Sequence, residues 1–467
     1  MTHTKDNAPT PLLYCYVKHY THLHFFEQLF TKTYPELSPS YFTDNISLFL
    51  YIKMFGKAKV KLTPIIFLKK SDSATELSEK TSKILNWEVA YMQKTKEQVA
   101  KKYKSLSNWY KGQIEKNGIS FCWSGNNTES HAFVQAAKAK NHLTYCGEIT
   151  NYPQTVYIDC QGTNYFSELV NKIAQSGANE SNISSEVIEK LKTLKEGQKH
   201  IPQASLKYKF QFFIALYGIQ QFLLSPGKRF SLWHVLVNKL KSAETKYREL
   251  VKNDEFIKIE EWMPRISESS QKIKILVPLQ INHDTQLHVF SNYKSSFDYI
   301  QFLLSIIDDH IELHIKLHPA EKKETNQLTT YLINKLSNKH PNIKLISTFE
   351  FVEYQAVATI NSTFGIDALL SNCKVITFGQ SLYSDFNFVL HYGRNKLTSL
   401  REAIDKYDLL VDAESFKHFA TTIQNEFYNF NYFGDTIDQG ISKADLTKSI
   451  NRLQADMTSL RLPHDKE

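Results

Sequence analysis

What this 467-residue chain lacks narrows its class. Its five cysteines, Cys15, Cys122, Cys146, Cys160 and Cys373, are odd in number and show neither CxxC nor Cys/His metal spacing. That excludes a disulfide framework or zinc ribbon and points to reduced thiols in a cytosol. No window approaches the ~18 apolar residues of a membrane span. The opening MTHTKDNAPTPLL has no charged segment followed by an apolar stretch of signal length. A protein that stays inside and soluble is expected. There is no Walker loop, HExxH, GxSxG, DxD-like metal motif or aromatic RNA-binding signature, and no internal repeat or low-complexity tract.

What is present is an ordinary globular composition, 42% hydrophobic and 22% charged, with a net charge of +8 and a pI of about 8.9. The length exceeds what one core usually supports, so two domains are expected. The positive balance fits nucleic acid, an anionic membrane leaflet or an anionic small molecule. Much of the excess falls in residues 53–116, where TELSEKTSKILNWEVAYMQKTKEQVAKKY has helical periodicity. A solvated helix face explains it as well as a partner surface does. Aromatic residues make up 13%, which core packing accommodates.

Strand-like apolar runs alternate with helical periodicity. PLLYCYV, KLTPIIFLKK, GISFCWSG, NHLTYCGEI and TVYIDCQG lie within residues 1–165. A largely helical stretch follows over 165–265, with a basic and aromatic segment around Lys228, Arg229, Phe230 and Trp233 that suits either lipid headgroups or a core with a solvated side. KIKILVPLQ then opens a second series through ELHIKLHP, IKLIS, FVEYQAVATINS and KVITFG. The pattern predicts an α/β protein with two Rossmann-like domains facing a cleft: 1–265 with its helical insert, and 266–467 with a helical tail.

Three polar stretches follow buried strands of the second series: QINHDTQ at 280–286, LHP at 317–319 and INSTFG at 360–365. Parallel strands would bring them to one sheet edge, where open α/β folds bind ligands. Asn361, Ser362 and Thr363 precede a helix, and Gly365 allows close approach, which suits an anion; simple helix capping accounts for the same residues. His318, before Pro319, can donate to a phosphate. Asp284, flanked by Gln280, His283 and Gln286, offers a nucleophile or base, or else an Asx turn or a helix cap. His314, inside its strand, reads as packing. In the first domain Glu148 and Asp159 could supply an opposing carboxylate.

Together LVPLQINHDTQLHVFSNY, IKLHP, ATINSTFGIDALL and VITFGQSLY, with a fainter GEITNYPQTVYIDCQGTN, resemble the bacterial capsule-polysaccharide β-Kdo glycosyltransferases of the KpsS and KpsC type. The KpsS type is the better match. The resemblance implies a GT-B fold, CMP-Kdo as donor and no metal or other cofactor. It implies His318, Ser362 and Thr363 on the phosphate, Asn361 supporting the loop, Asp284 as nucleophile of a retaining double displacement, and Glu148 for the acceptor proton. The acceptor would be a lipid of phosphatidylglycerol type or a Kdo or glycan chain. The setting would be cytoplasmic, peripheral at the inner membrane beside capsule-assembly proteins, without nucleic acid. CMP-sialic acid or a UDP-sugar as donor, or a non-catalytic scaffold, are the rivals. Phe25 and Phe26 match a paired Phe of the family, but HYTHLHFF lacks its Gly-rich turn, and Asp367 falls where members vary.

Overall fold

A computed structural model describes residues 12–56, 58–64, 77–91, 94–150, 152, 154–175, 244, 245, 248, 272–282, 284–321, 323–412 and 414–459. Nearly all of the stretch read as a helical insert, including Trp233 and its basic neighbours, lies outside the described residues, as does His283. The chain divides into two compact units.

The described first unit comprises residues 12–172 and 423–459. It contains β1 (Leu12–Tyr16), α1 (Tyr20–Thr33), β2 (Ser40–Thr43), α2 (Ile46–Phe55), β3 (Lys59–Leu62), α3 (Glu79–Tyr91), α4 (Lys96–Gln113) and β4 (Gly118–Trp123). After these come α5 (Thr128–Lys138), β5 (Leu143–Ile149), β6 (Thr155–Asp159) and α6 (Glu168–Gln175). Local chemistry starts the helices: Asn45 caps α2, Thr95 and Gln98 form a capping box on α4, and Asn127 accepts from the Ser130 amide at the head of α5. The sheet order is β13-β6-β5-β4-β1-β2-β3, parallel from β5 to β3. β1 can be an unbroken apolar run because both its faces are buried. Leu13, Cys15 and Val17 meet Phe26, Leu29 and Phe30 on one side, while Tyr14 and Tyr16 meet Phe133 and Tyr110 on the other.

The second unit runs through β7 (Ile273–Pro278), α7 (Thr285–Phe290), α8 (Ser296–Ile306), β8 (Ile311–Lys316), α9 (Lys323–Ser337), β9 (Ile343–Ile346), β10 (Ala356–Thr359) and α10 (Phe364–Leu370). β11 (Lys374–Thr377), β12 (Leu390–His391), α11 (Leu400–Asp405), α12 (Tyr407–Leu410) and α13 (Glu414–Glu426) complete it, α13 carrying the chain back to the first unit. Its parallel order, β12-β11-β10-β7-β8-β9, reverses direction between β7 and β10. Ile275 and Val277 pack with Ile300, Leu303 and Ile333 in one apolar core. Burying such a side chain contributes about 1.5–3 kcal/mol.

The domain boundary at 266 is corrected at the far end, because the tail does not stay with the second unit. β13 (Tyr428–Asn429) pairs antiparallel with β6, and α14 (Lys443–Ser459) lays Leu453 and Met457 into the first core. Gln454 Nε2 donates to the Thr33 carbonyl at 2.6 Å, closing the end of α1. The apolar face of α14 therefore finds its partner more than four hundred residues upstream.

Candidate active site

The loops after β7, β8 and β10 leave the carboxyl ends of three neighbouring strands, and β7 and β10 flank the point where strand order reverses. That crevice is the usual ligand position of an open α/β sheet. Gln280 and Asn361 bridge it: Gln280 Nε2 donates to Asn361 Oδ1 at 2.6 Å, both side chains being buried. Asn361 Nδ2 in turn donates to the carbonyls of Gln286 at 2.9 Å and Gln380 at 3.1 Å. One amide thus ties together the loops after β7, β10 and β11. The other amide oxygen, Gln280 Oε1, is buried without a protein partner. A buried acceptor left so is costly unless something donates to it.

The loop after β8 is tied to the loop after β7 by Glu321, whose Oε2 accepts from the Asn282 backbone N–H at 2.6 Å and from Asn282 Nδ2 at 3.1 Å. His318, half-buried, accepts the Ala320 amide on Nδ1 at 3.1 Å. That bond requires Nδ1 to be unprotonated and places the ring proton of the neutral form on Nε2, making Nε2 a donor. Pro319 is exposed. Ser362 Oγ accepts the Phe364 amide at 3.2 Å, and Thr363 is exposed at the head of α10 without capping it.

Two residues have structural duties, the first of them the helix cap that its sequence context also allows. Asp284 is the N-cap of α7, its Oδ1 accepting from the Gln286 amide at 2.9 Å. At Gly365 the close approach is made by Tyr383, because a Cβ there would overlap the Tyr383 hydroxyl, which donates to the Ser362 carbonyl. Asn282, Glu321 and Tyr383 were not singled out from sequence; the first lies inside QINHDTQ and the last inside VITFGQSLY, so only a residue-by-residue reading of those stretches could have found them.

The two carboxylates singled out from sequence in the first unit have local surroundings of their own. Asp159 is used up by its turn, Oδ1 taking the amides of Gln161 and Gly162 at 2.7 and 3.0 Å and Oδ2 the Ser167 hydroxyl at 2.6 Å. Glu148, on β5 opposite Tyr157, is partly accessible, and its charge helps to raise the phenols of Tyr157 and Tyr432, where burial is the larger cause. His314 is a packing residue as expected, held by Glu312 and by the Tyr354 hydroxyl at 2.9 Å.

The first sheet has its own reversal, between β1 and β4, and its carboxyl edge is ionic. Lys102 lies between Glu88, at 2.7 Å, and Glu129, while Lys18 lies 3.9 Å from Asp44 and 3.7 Å from Glu129. Burial pushes the Glu129 carboxyl up, but the Lys102 and Lys18 ammonium groups outweigh it and hold it far below the usual range. Burial raises Asp44. His131, bonded to the Thr81 hydroxyl at 3.1 Å, is lowered to about 3 by burial, with Lys80 and Lys138 adding to it.

Two largely parallel sheets in one chain, with a polar crevice at the reversal of the second, make this an α/β protein of two Rossmann-like units. The family model described as capsule polysaccharide biosynthesis protein matches residues 123–428, well over half of the chain, and the chain belongs to that family. It is 28% identical over 158 residues to FixF of Sinorhizobium fredii, a match covering 32% of this chain and 37% of that protein, so it spans little more than a third of that relative's length. Among solved structures it is similar to Thermosulfurimonas dismutans KpsC, a beta Kdo 2,7 transferase, at TM-score 0.40 and 11% identity, covering 96% of this chain and 99% of that one. A beta Kdo 2,4 transferase from the same organism's KpsC gives TM-score 0.32 and 14% identity over 65% of this chain and 78% of that one. Scores below 0.5 bear on neither donor nor acceptor. Among the described residues no group of His, Cys, Asp and Glu could hold a metal ion, and no helix is long and apolar enough to cross a membrane.

Proposed function

We propose that the chain is a glycosyltransferase of capsule or surface polysaccharide biosynthesis that transfers β-Kdo from CMP-Kdo to a lipid of phosphatidylglycerol type or to a Kdo or glycan chain. The observation that carries this reading is the Gln280–Asn361 bridge at the reversal of the second sheet, with His318 and Ser362 on the adjoining loops. QINHDTQ, LHP and INSTFG contain no Lys or Arg, so the phosphate of CMP is met by neutral donors: His318 Nε2, the hydroxyls of Ser362 and Thr363, and loop amides. Gln280 Oε1 is an acceptor suited to a sugar or ribose hydroxyl.

In the proposed retaining reaction an Asp284 carboxylate oxygen attacks the anomeric carbon and the bond to the phosphate oxygen breaks, releasing CMP. An acceptor hydroxyl then attacks that carbon, expels Asp284 and gives its proton to a base, the role assigned to Glu148. The cap on Asp284 Oδ1 fixes the carboxylate, as a nucleophile needs. The setting proposed is the cytoplasmic face of the inner membrane, beside capsule-assembly proteins.

Mass analysis of products from CMP-Kdo with lipid and with oligosaccharide acceptors tests donor and acceptor together. A Kdo-extended product and free CMP are expected. Turnover with CMP-sialic acid or a UDP-sugar and none with CMP-Kdo would replace the donor, and no turnover with any donor would favour a scaffold.

A further inference from the structure

Alternation sorts the side chains of the second sheet between its faces. Along β7 and its loop Ile275, Val277 and Leu279 enter the apolar core, as Leu313, Ile315 and Leu317 do along β8 and its loop. The period of two therefore puts Gln280, Lys316 and His318 on the opposite face, at the carboxyl edge. Register fixes the neighbourhood: Lys316 lies opposite Pro278, two residues before Gln280. Lys316 thus shares its side of the crevice with the residues already placed there.

On the same face Glu312 is answered by His314 and by Lys344 of β9, at 3.0 Å. Lys316 has no such answer. Half-buried, it meets no carboxylate among the described residues, and its Nζ lies 5.7 Å from the Phe349 ring. Phe349 packs in turn on Phe364, ring centres 5.4 Å apart, and the Phe364 amide donates to Ser362 Oγ at the head of α10. Two ring contacts therefore connect this ammonium to the loop of Ser362. Burial pushes its pKa down, so an anion beside it would stabilise the charged form. CMP-Kdo has two anionic groups, because the phosphate ester oxygen and the carboxylate are bonded to the same anomeric carbon. Neutral donors on His318 and Ser362 suit the phosphate, which leaves the Lys316 ammonium for the carboxylate beside it.

We propose that Lys316 pairs with the carboxylate of the donor's acidic sugar and so selects a sugar acid over a neutral sugar. This role lies within the CMP-sugar site proposed above and rests on it, so the test keeps the two readings apart. CMP and CMP-Kdo are titrated calorimetrically, without acceptor, into wild type and Lys316→Gln, with unfolding followed in parallel and the donor's integrity checked by mass analysis. Wild type is expected to bind CMP-Kdo about tenfold more tightly than CMP, the scale of one charge-assisted contact. Lys316→Gln is expected to bring that ratio below about twofold and to leave CMP affinity within about twofold of wild type. Lys316→Met, which keeps an apolar stem for Phe349, serves if the glutamine alters the unfolding midpoint. A wild-type ratio near one, or a ratio unchanged in the variant, would overturn the role of Lys316 and leave the donor reading standing. An equal loss for CMP and CMP-Kdo would put Lys316 on the phosphate and overturn it as well. Absence of CMP binding by wild type would overturn the donor reading, and the role of Lys316 with it.

Discussion

At the carboxyl edge of the first sheet lysines and carboxylates close on one another, Lys102 lying between Glu88 and Glu129, with Lys18 and Asp44 beside them. At the corresponding edge of the second sheet Gln280, His318, Asn361 and Ser362 come from QINHDTQ, LHP and INSTFG, none of which contains a lysine or arginine. Strand order reverses at the same place in both sheets. Topology supplies a crevice in each case, and the residues decide its use. The first edge neutralises its own charges and becomes structure, whereas the second keeps uncharged donors and one unsatisfied acceptor, which suits it to an incoming anion.

The largest effect that could break this contrast is acid. His131 has its folded pKa lowered to about 3, so between that value and the ordinary 6.5 the unfolded chain binds the extra proton. Stability is then fully present above about pH 6.5 and falls by about 1.4 kcal/mol for each pH unit below it. Glu129 acts in the same sense at lower pH, since a depressed carboxyl loses its contribution as it is finally protonated. Hydrogen exchange should show first-unit amides losing protection on acidification, and His131→Asn should flatten the slope.

Removing Lys102 comes next. Lys102→Met leaves the buried Glu88 to Lys94 and Glu129 to Lys18 alone and should cost about 3 kcal/mol in denaturant unfolding, the low end for a broken buried pair. If the loss is under 1 kcal/mol, roughly a surface pair's worth, the network is not the structural element described. In the second unit Asn361→Ala deletes one bond to Gln280 and two to backbone carbonyls and should cost about 2–3 kcal/mol. The smallest effect is at Gly365, where an alanine Cβ meets Tyr383: Gly365→Ala should cost about 1–2 kcal/mol, and Tyr383→Phe in the same chain should recover part of it.

The alternation of elements and the convergence of three loops could be read from the chain, because apolar runs and helical periods are local signals. β8 and β10 formed where ELHIKLHP and FVEYQAVATINS end in polar loops, and both loops emerge at one sheet edge. The ionic edge could not be read, since Lys18, Asp44, Glu88, Lys102 and Glu129 are scattered over more than a hundred residues and each alone looks like surface charge. The return of α14 to α1 was hidden for the same reason. Asp284 and Gly365 show a different limit: a carboxylate before a helix and a glycine within one fit several duties, and only their neighbours choose.

The central claim is that the crevice at the reversal of the second sheet holds the CMP part of the donor. Calorimetric titration of CMP into wild type, His318→Ala and Asn361→Ala, with unfolding followed in parallel, tests it most directly. Saturable binding by wild type and affinity roughly tenfold weaker in a stably folded His318→Ala are predicted. No binding heat with wild type, or equal affinity in all three proteins, would contradict it.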